Sequence, residues 1–128
     1  EKNLRKVLNL GHTFAHAYES TLNFSKKLNH GEAVILGIKN AIKFSHDYNL
    51  LSKNKYKMID DHINKINIIS KLEKLFKKRD ISKIIKFMRT DKKNNTEKIN
   101  LILIKDIGKI KTDFQISHAK LKKYLYKN

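Results

Sequence analysis

Residues 32–49, EAVILGIKNAIKFSHDYN, restrict the fold more than any other stretch of the chain. Ala33, Val34, Ile35, Leu36 and Ile38 are apolar nearly all round a helical wheel, so a helix here must be buried among other helices. Gly37 sits inside the run. A glycine there costs about 1 kcal/mol relative to alanine, which points to a close approach by a neighbouring element.

The flanking segments supply the neighbours. Residues 3–22 predict one amphipathic helix, with Leu4, Val7, Leu8, Phe14, Tyr18 and Leu22 on its apolar side. The polar stretch NFSKKLNHG, 23–31, reads as a loop. Ser52 is placed to cap a third helix running to about Ile66. ISKLEKLFKKRD gives a short helical segment, and Asp80 or Ser82 caps the next, to about Thr90. DKKNN reads as a turn. The period then changes: Ile99, Leu101 and Leu103 alternate with Asn100, Ile102 and Ile104, as in a strand, and Lys109–Lys111 returns as a short partner. Ser117 caps a last helix over His118–Tyr126. The expectation is a mainly α, multi-helix fold with a small β-hairpin, forming a single domain over residues 1–128 without repeat or linker.

Composition narrows the function classes. With 128 residues, 40% of them hydrophobic, the chain can bury a modest core. It has no cysteine, which excludes disulfides and thiolate metal sites. No run approaches the roughly 18 apolar residues of a membrane span, so no membrane partner is expected. The net charge of +17 invites a nucleic-acid reading. Against it, arginine stands only at Arg5, Arg79 and Arg89, and lysine is scattered along the whole chain. Readers of nucleic acid favour arginine forks and stacking aromatics, so no nucleic-acid partner is expected. The Lys-, Ile- and Asn-rich composition, with no proline, fits an A/T-rich coding sequence better. A start at Glu1 rather than Met reads as a fragment or a processed product.

The chemistry concentrates near the start. On a continuous helix, Glu1, Arg5, Asn9, His12, His16 and Glu19 fall within an arc of roughly 80°. A polar stripe opposite an apolar face is ordinarily just solvated. This one is unusual because the rest of the chain meets solvent with lysine, and because it mixes carboxylate, guanidinium, amide and imidazole. His12 and His16 lack the glutamate of an H-E-x-x-H zinc motif, and alone such a pair is more often structural than a ligand pair. His30, in the predicted loop just before Gly31 and Glu32, lies where a backbone can approach a ligand. Imidazoles from two neighbouring elements suit a zinc site with an open position. Such sites take three protein ligands, and the third, a carboxylate, is expected from elsewhere.

RKVLNLGHTFAHAYE, LNHGEAVILGI, MRTDKKN and INLILIKDIGK, in that order, resemble the C-terminal domain of the 3-dehydroquinate synthase family, from Glu1 to about Gly108. The resemblance implies a lyase of the shikimate pathway, in aromatic amino acid biosynthesis. Such an enzyme converts 3-deoxy-D-arabino-heptulosonate 7-phosphate, a phosphorylated sugar acid, into 3-dehydroquinate and phosphate. It implies NAD and a divalent metal, Zn2+ or Co2+, as cofactors, and a cytoplasmic homodimer. By the same resemblance His12 and His30 are metal ligands and His16 is a proton acceptor. Glu1 falls at a second acceptor position, although a carboxylate there reads equally as solvated. Arg5, Asn9, His30 and Lys92 contact substrate. His46, His62 and His118 match nothing and read as surface or partly packed residues.

Two departures accompany the resemblance. Ala15 replaces the usual glycine between the histidines, a methyl group that helix propensity tolerates. No glycine-rich dinucleotide signature occurs in the chain. The NAD-binding domain, in cis or on a separate chain, is therefore expected to complete the site and supply the third ligand. The alternatives within the superfamily are 2-deoxy-scyllo-inosose synthase and the metal-dependent alcohol and glycerol dehydrogenases. Arg5, Asn9 and Lys92 favour a phosphorylated, carboxylated substrate over a simple alcohol. A non-catalytic basic helical remnant is the alternative of another class. Retention of Arg5, Asn9, His12, His16 and His30 speaks against it.

Overall fold

A computed structural model of the protein describes residues 10–66, 69–88, 98–106 and 109–127, with the side chains of residues 112 and 113 left aside. The elements, in order, are α1 (His12–Thr21), α2 (His30–Asp47), α3 (Lys53–Asn64), α4 (Ile69–Glu73) and a 3-10 turn (Lys78–Asp80). There follow α5 (Ile81–Met88), strands β1 (Lys98–Asp106) and β2 (Lys109–Ser117), and α6 (His118–Lys127). The mainly α fold with a small β-hairpin is what the sequence leads one to expect. Among the described residues no helix is long and apolar enough to cross a membrane.

Helix α2 is the hub, packing on α1, α3, α4 and β1. Its buried residues include Ala33, Leu36, Gly37, Ala41, Ile42, Phe44 and Ser45, which is the burial its apolar sequence demands. Ser45 ties the hub to the hairpin: its hydroxyl donates to the Ala41 carbonyl at 2.7 Å and accepts the Ile104 N–H at 3.0 Å. Near the end of α2, Phe44, Tyr48, Phe114 and Tyr124 join α2, β2 and α6 in one aromatic cluster, with Phe44 and Tyr48 stacked at 4.2 Å. Such pairs add about 0.5–1.5 kcal/mol beyond their buried area.

The caps of α3 and α6 lie where the sequence placed them. Ser52 accepts the Lys55 N–H ahead of α3, and Ser117 accepts that of Lys120 ahead of α6. The Asp80 carboxylate accepts the Lys77 N–H, fixing the 3-10 turn that leads into α5.

Three boundaries differ from the sequence reading. Of the single helix predicted over residues 3–22, residues 3–9 lie outside the described residues, and helix α1 begins only at His12, after Gly11 with φ 82°. Local periodicity carries no sign of this; the turn sits in close contact with α2, as a Cβ on Gly11 would lie 2.5 Å from the Ile38 backbone nitrogen. The loop predicted to extend to Gly31 ends at Asn29, so His30 is the first residue of α2. The returning strand is not short: β2 pairs antiparallel with β1 from Asp106↔Lys109 to Lys98↔Ser117. Register shifts between Leu101 and Leu103 and between Ile104 and Asp106 break the strict alternation, and Leu103 and Ile104 are both buried.

Burial pushes the Tyr18 phenol well above its ordinary range, an effect that the hydrogen bond from the Asn40 amide offsets in part. Burial also raises Tyr124, and the Asp47 carboxylate that accepts its hydroxyl at 2.6 Å raises it further. An unfolded tyrosine titrates near pH 10, while these keep their proton to higher pH when folded. The stability they contribute is therefore fully present below about pH 10. Above it the folded state holds more protons than the unfolded chain, and for Tyr18 up to about 1.4 kcal/mol is lost per pH unit. Thermal melts are expected to be nearly flat with respect to these groups up to about pH 10 and to fall beyond it, less steeply in Tyr18→Phe. An unchanged slope in that variant would show that Tyr18 is not responsible.

Candidate functional site

Two local devices position the imidazoles. The first is the left-handed turn at Gly11, which starts α1 so that His12 is its first residue and Ala15 N–H bonds the Gly11 carbonyl at 2.8 Å. The second is a capping box ahead of α2. The Asn29 side chain accepts the Glu32 N–H at 2.8 Å, and the Glu32 carboxylate accepts the Asn29 N–H at 2.9 Å. This sequence signal, N-x-x-E before an apolar run, holds His30 and Gly31 in the first turn of α2 and commits Glu32 to a structural role.

The two helices meet so closely that backbone touches backbone. A Cβ on Gly37 would lie 2.3 Å from the Gly11 carbonyl oxygen and 3.0 Å from the Ala15 nitrogen. The close approach expected of Gly37 is thus made by α1, and it brings the first turn of α1 toward α2. The rings of His12 and His30 stand 6.2 Å apart, centroid to centroid, at an interplanar angle of 67°. His30 and His16 are exposed and His12 is half-buried.

Of the predicted polar stripe, the described residues contain His12, His16 and Glu19, which fall within roughly 60° on α1. Helix α1 reaches back only to His12, after Gly11 with φ 82°. Glu1, Arg5, Asn9 and Lys92 lie outside the described residues.

Sequence reading missed the partner of His30. Nδ1 of His30 lies 3.2 and 3.3 Å from the two oxygens of Glu19. The Glu19 side chain is 12% exposed and that of His30 71%. The residues are 11 apart on different helices, so no local pattern connects them; the only available signal was that Glu19 shares the face of His12 and His16.

The donor set fits a cation in part. A zinc–nitrogen bond of about 2.0–2.1 Å places the metal about 3.2 Å from each imidazole centroid, so two rings can share it at centroid separations up to about 6.4 Å. A tetrahedral angle at the metal needs about 5.2 Å, so the pair would close by about 1 Å. Among the described residues no group of three His, Asp or Glu side chains is placed to hold a metal ion. Two imidazoles are present, and a third ligand would have to join them.

A separate cavity of about 390 Å³ lies on the opposite side of α1, lined by Phe14, Tyr18, Leu36, Asn40 and Phe76 with Lys39 among its polar groups. None of the three histidines lines it. Lys39 is held there by Asp60 at 3.5 Å and Glu73 at 3.9 Å, which ties α2 to α3 and α4.

Comparison with known proteins gives consistent matches. A family model described as the 3-dehydroquinate synthase C-terminal domain matches residues 1–94. The 3-dehydroquinate synthase of Pelagibacter ubique is 48% identical over 127 residues, covering 99% of this chain and 34% of the relative. That of Zymomonas mobilis is 36% identical over 121 residues, covering 94% of this chain and 32% of the relative. That of Endomicrobium trichonymphae is 40% identical over 106 residues, 83% of this chain and 28% of the relative. The chain spans about a third of the length of the curated relatives it matches.

Proposed function

The chain belongs to the 3-dehydroquinate synthase family, and from that premise we propose that it forms the metal- and substrate-binding part of such a lyase, converting 3-deoxy-D-arabino-heptulosonate 7-phosphate into 3-dehydroquinate and phosphate. The observation that supports this reading most is the convergence of His12 and His30 to 6.2 Å, with His16 one turn further along the same face of α1.

Each residue then has a distinct task. His12 and His30 hold the divalent cation, Zn2+ or Co2+. Arg5 and Lys92 bind the phosphate and carboxylate through charge-assisted hydrogen bonds, and Asn9 orients a hydroxyl. His16 takes a proton from substrate onto an imidazole nitrogen, a role suited to a side chain whose ordinary titration lies near neutrality. Glu1 is a second acceptor. When bound, the cation would supply acidification and orientation of vicinal hydroxyls, and NAD would supply reversible hydride transfer. NAD is held by a dinucleotide-binding domain, on the same polypeptide or a separate chain.

The test is a product assay on the native polypeptide that carries this chain, loaded with NAD and zinc. Release of phosphate together with 3-dehydroquinate is expected. Failure to turn over that substrate, with activity on a carboxylate-free sugar phosphate instead, would move the chain to 2-deoxy-scyllo-inosose synthase chemistry.

The same reading makes a prediction for the 128 residues alone. Two imidazoles are one ligand short of an ordinary catalytic zinc site. Calorimetric titration with zinc is expected to show weak binding, saturating only at a large excess of metal, and no turnover. Tight stoichiometric binding would mean that the chain supplies its own third ligand.

A further inference from the structure

We propose that Glu19 is a positioning residue for the cation: its carboxylate engages Nδ1 of His30 and leaves Nε2 as the ring atom that faces the metal. The inference rests on the reading of His12 and His30 as metal ligands.

The geometry carries it. Both Glu19 oxygens lie within 3.3 Å of Nδ1. An ionised carboxylate only accepts hydrogen bonds, so Nδ1 carries the proton and the lone pair of the neutral ring resides on Nε2. The contact also decides where the ring points. His30 is 71% exposed, so packing does not hold its ring in one orientation. Glu19, on α1, is only 12% exposed. The more buried partner therefore orients the more exposed one. Between two freely solvated side chains such a pair would contribute little. Here one member is largely buried, and the ring it orients makes an edge contact with His12.

The location of Glu19 supports a role beyond the stability of its own helix. It lies in the last turn of α1, where the helix dipole disfavours a carboxylate, and it faces the first turn of α2, where negative charge is favoured. Carboxylate–histidine pairs of this kind fix the tautomer and raise the basicity of a metal-binding imidazole, and their loss typically lowers metal affinity by roughly 10–100-fold.

The experiment measures zinc affinity of the native polypeptide by competition with a chromophoric chelator, for the unmodified protein, Glu19→Gln, Glu19→Ala and His30→Ala. Nitrogen-15 spectra of the His30 ring are recorded in the metal-free state at a pH where the imidazole is neutral. Both Glu19 variants are expected to melt within a few degrees of the parent and to bind zinc roughly 10–100-fold more weakly. In Glu19→Ala the ring should pass from the Nδ1–H tautomer to a mixture, and the paired loss of zinc affinity is what a merely structural role would not produce. If His30→Ala loses zinc while both Glu19 variants keep parental affinity, or if the Glu19→Ala ring stays wholly Nδ1–H, the role of Glu19 is overturned and the metal pair stands. If His30→Ala keeps parental affinity, the metal reading itself fails, and this inference with it.

Discussion

Gly37→Ala is expected to destabilise the protein by about 2–4 kcal/mol, although alanine is the better helix former. The propensity gain is about 1 kcal/mol in favour of the variant. Against it stands a Cβ placed 2.3 Å from the Gly11 carbonyl oxygen and 3.0 Å from the Ala15 nitrogen. Both obstacles are backbone, and both belong to the first turn of α1, where Ala15 N–H bonds Gly11 C=O. No rotamer change relieves them, so α1 must move outward by about 1 Å and take its buried neighbours Phe14, Ala17 and Tyr18 with it. Overpacking of this kind typically costs 1–3 kcal/mol even against side chains, and separating two packed backbones opens a void in addition. Gly11→Ala should be at least as harmful, since its φ of 82° disfavours a side chain by about 1–2 kcal/mol before any clash. Urea unfolding at constant slope reads the effect as a lower midpoint. Equal or higher stability of Gly37→Ala would mean that the helices are not held at backbone contact. Because His12 follows Gly11 directly, the same displacement moves its ring relative to His30, and zinc affinity is expected to fall with stability.

On the proposed function, His16→Ala and His12→Ala should both lower turnover severely, and for different reasons. His12 is assigned to the cation, so its removal should lower zinc content and activity together. His16 is assigned to proton transfer, so its removal should lower kcat by roughly 100- to 10,000-fold while zinc content stays at the parental level. Metal analysis beside steady-state kinetics separates the two. If the His16 variant loses zinc as the His12 variant does, the roles are misassigned. If His16→Ala retains full activity, its exposed ring on α1 is a surface group.

Much of the fold was legible because its signals are local. Ser52 and Ser117 announce helix starts through a bond to a backbone N–H three residues on. The reciprocal cap of Asn29 and Glu32 is equally local, yet the reading of a loop to Gly31 passes over it. The apolar run after Ala33 announces burial whatever its partner is. The candidate site was legible in part: His12 and His30 appear as imidazoles on successive elements. Their approach to 6.2 Å depends on where α1 begins, which the periodicity of residues 3–22 misstates.

By itself, then, the sequence determined which segments are helical, which pair is extended, and which face of α1 carries the histidines, because each follows from interactions within a few residues along the chain. Tertiary structure alone decided the turn at Gly11, the full length of β2 and the meeting of Glu19 with His30. The left-handed turn accompanies a contact with the Ile38 and Gly37 backbone, β2 extends as far as β1 offers partners, and Glu19 reaches His30 only once α1 and α2 are packed. Each depends on atoms far apart in the chain, whose encounter is set by the packing of whole helices and strands.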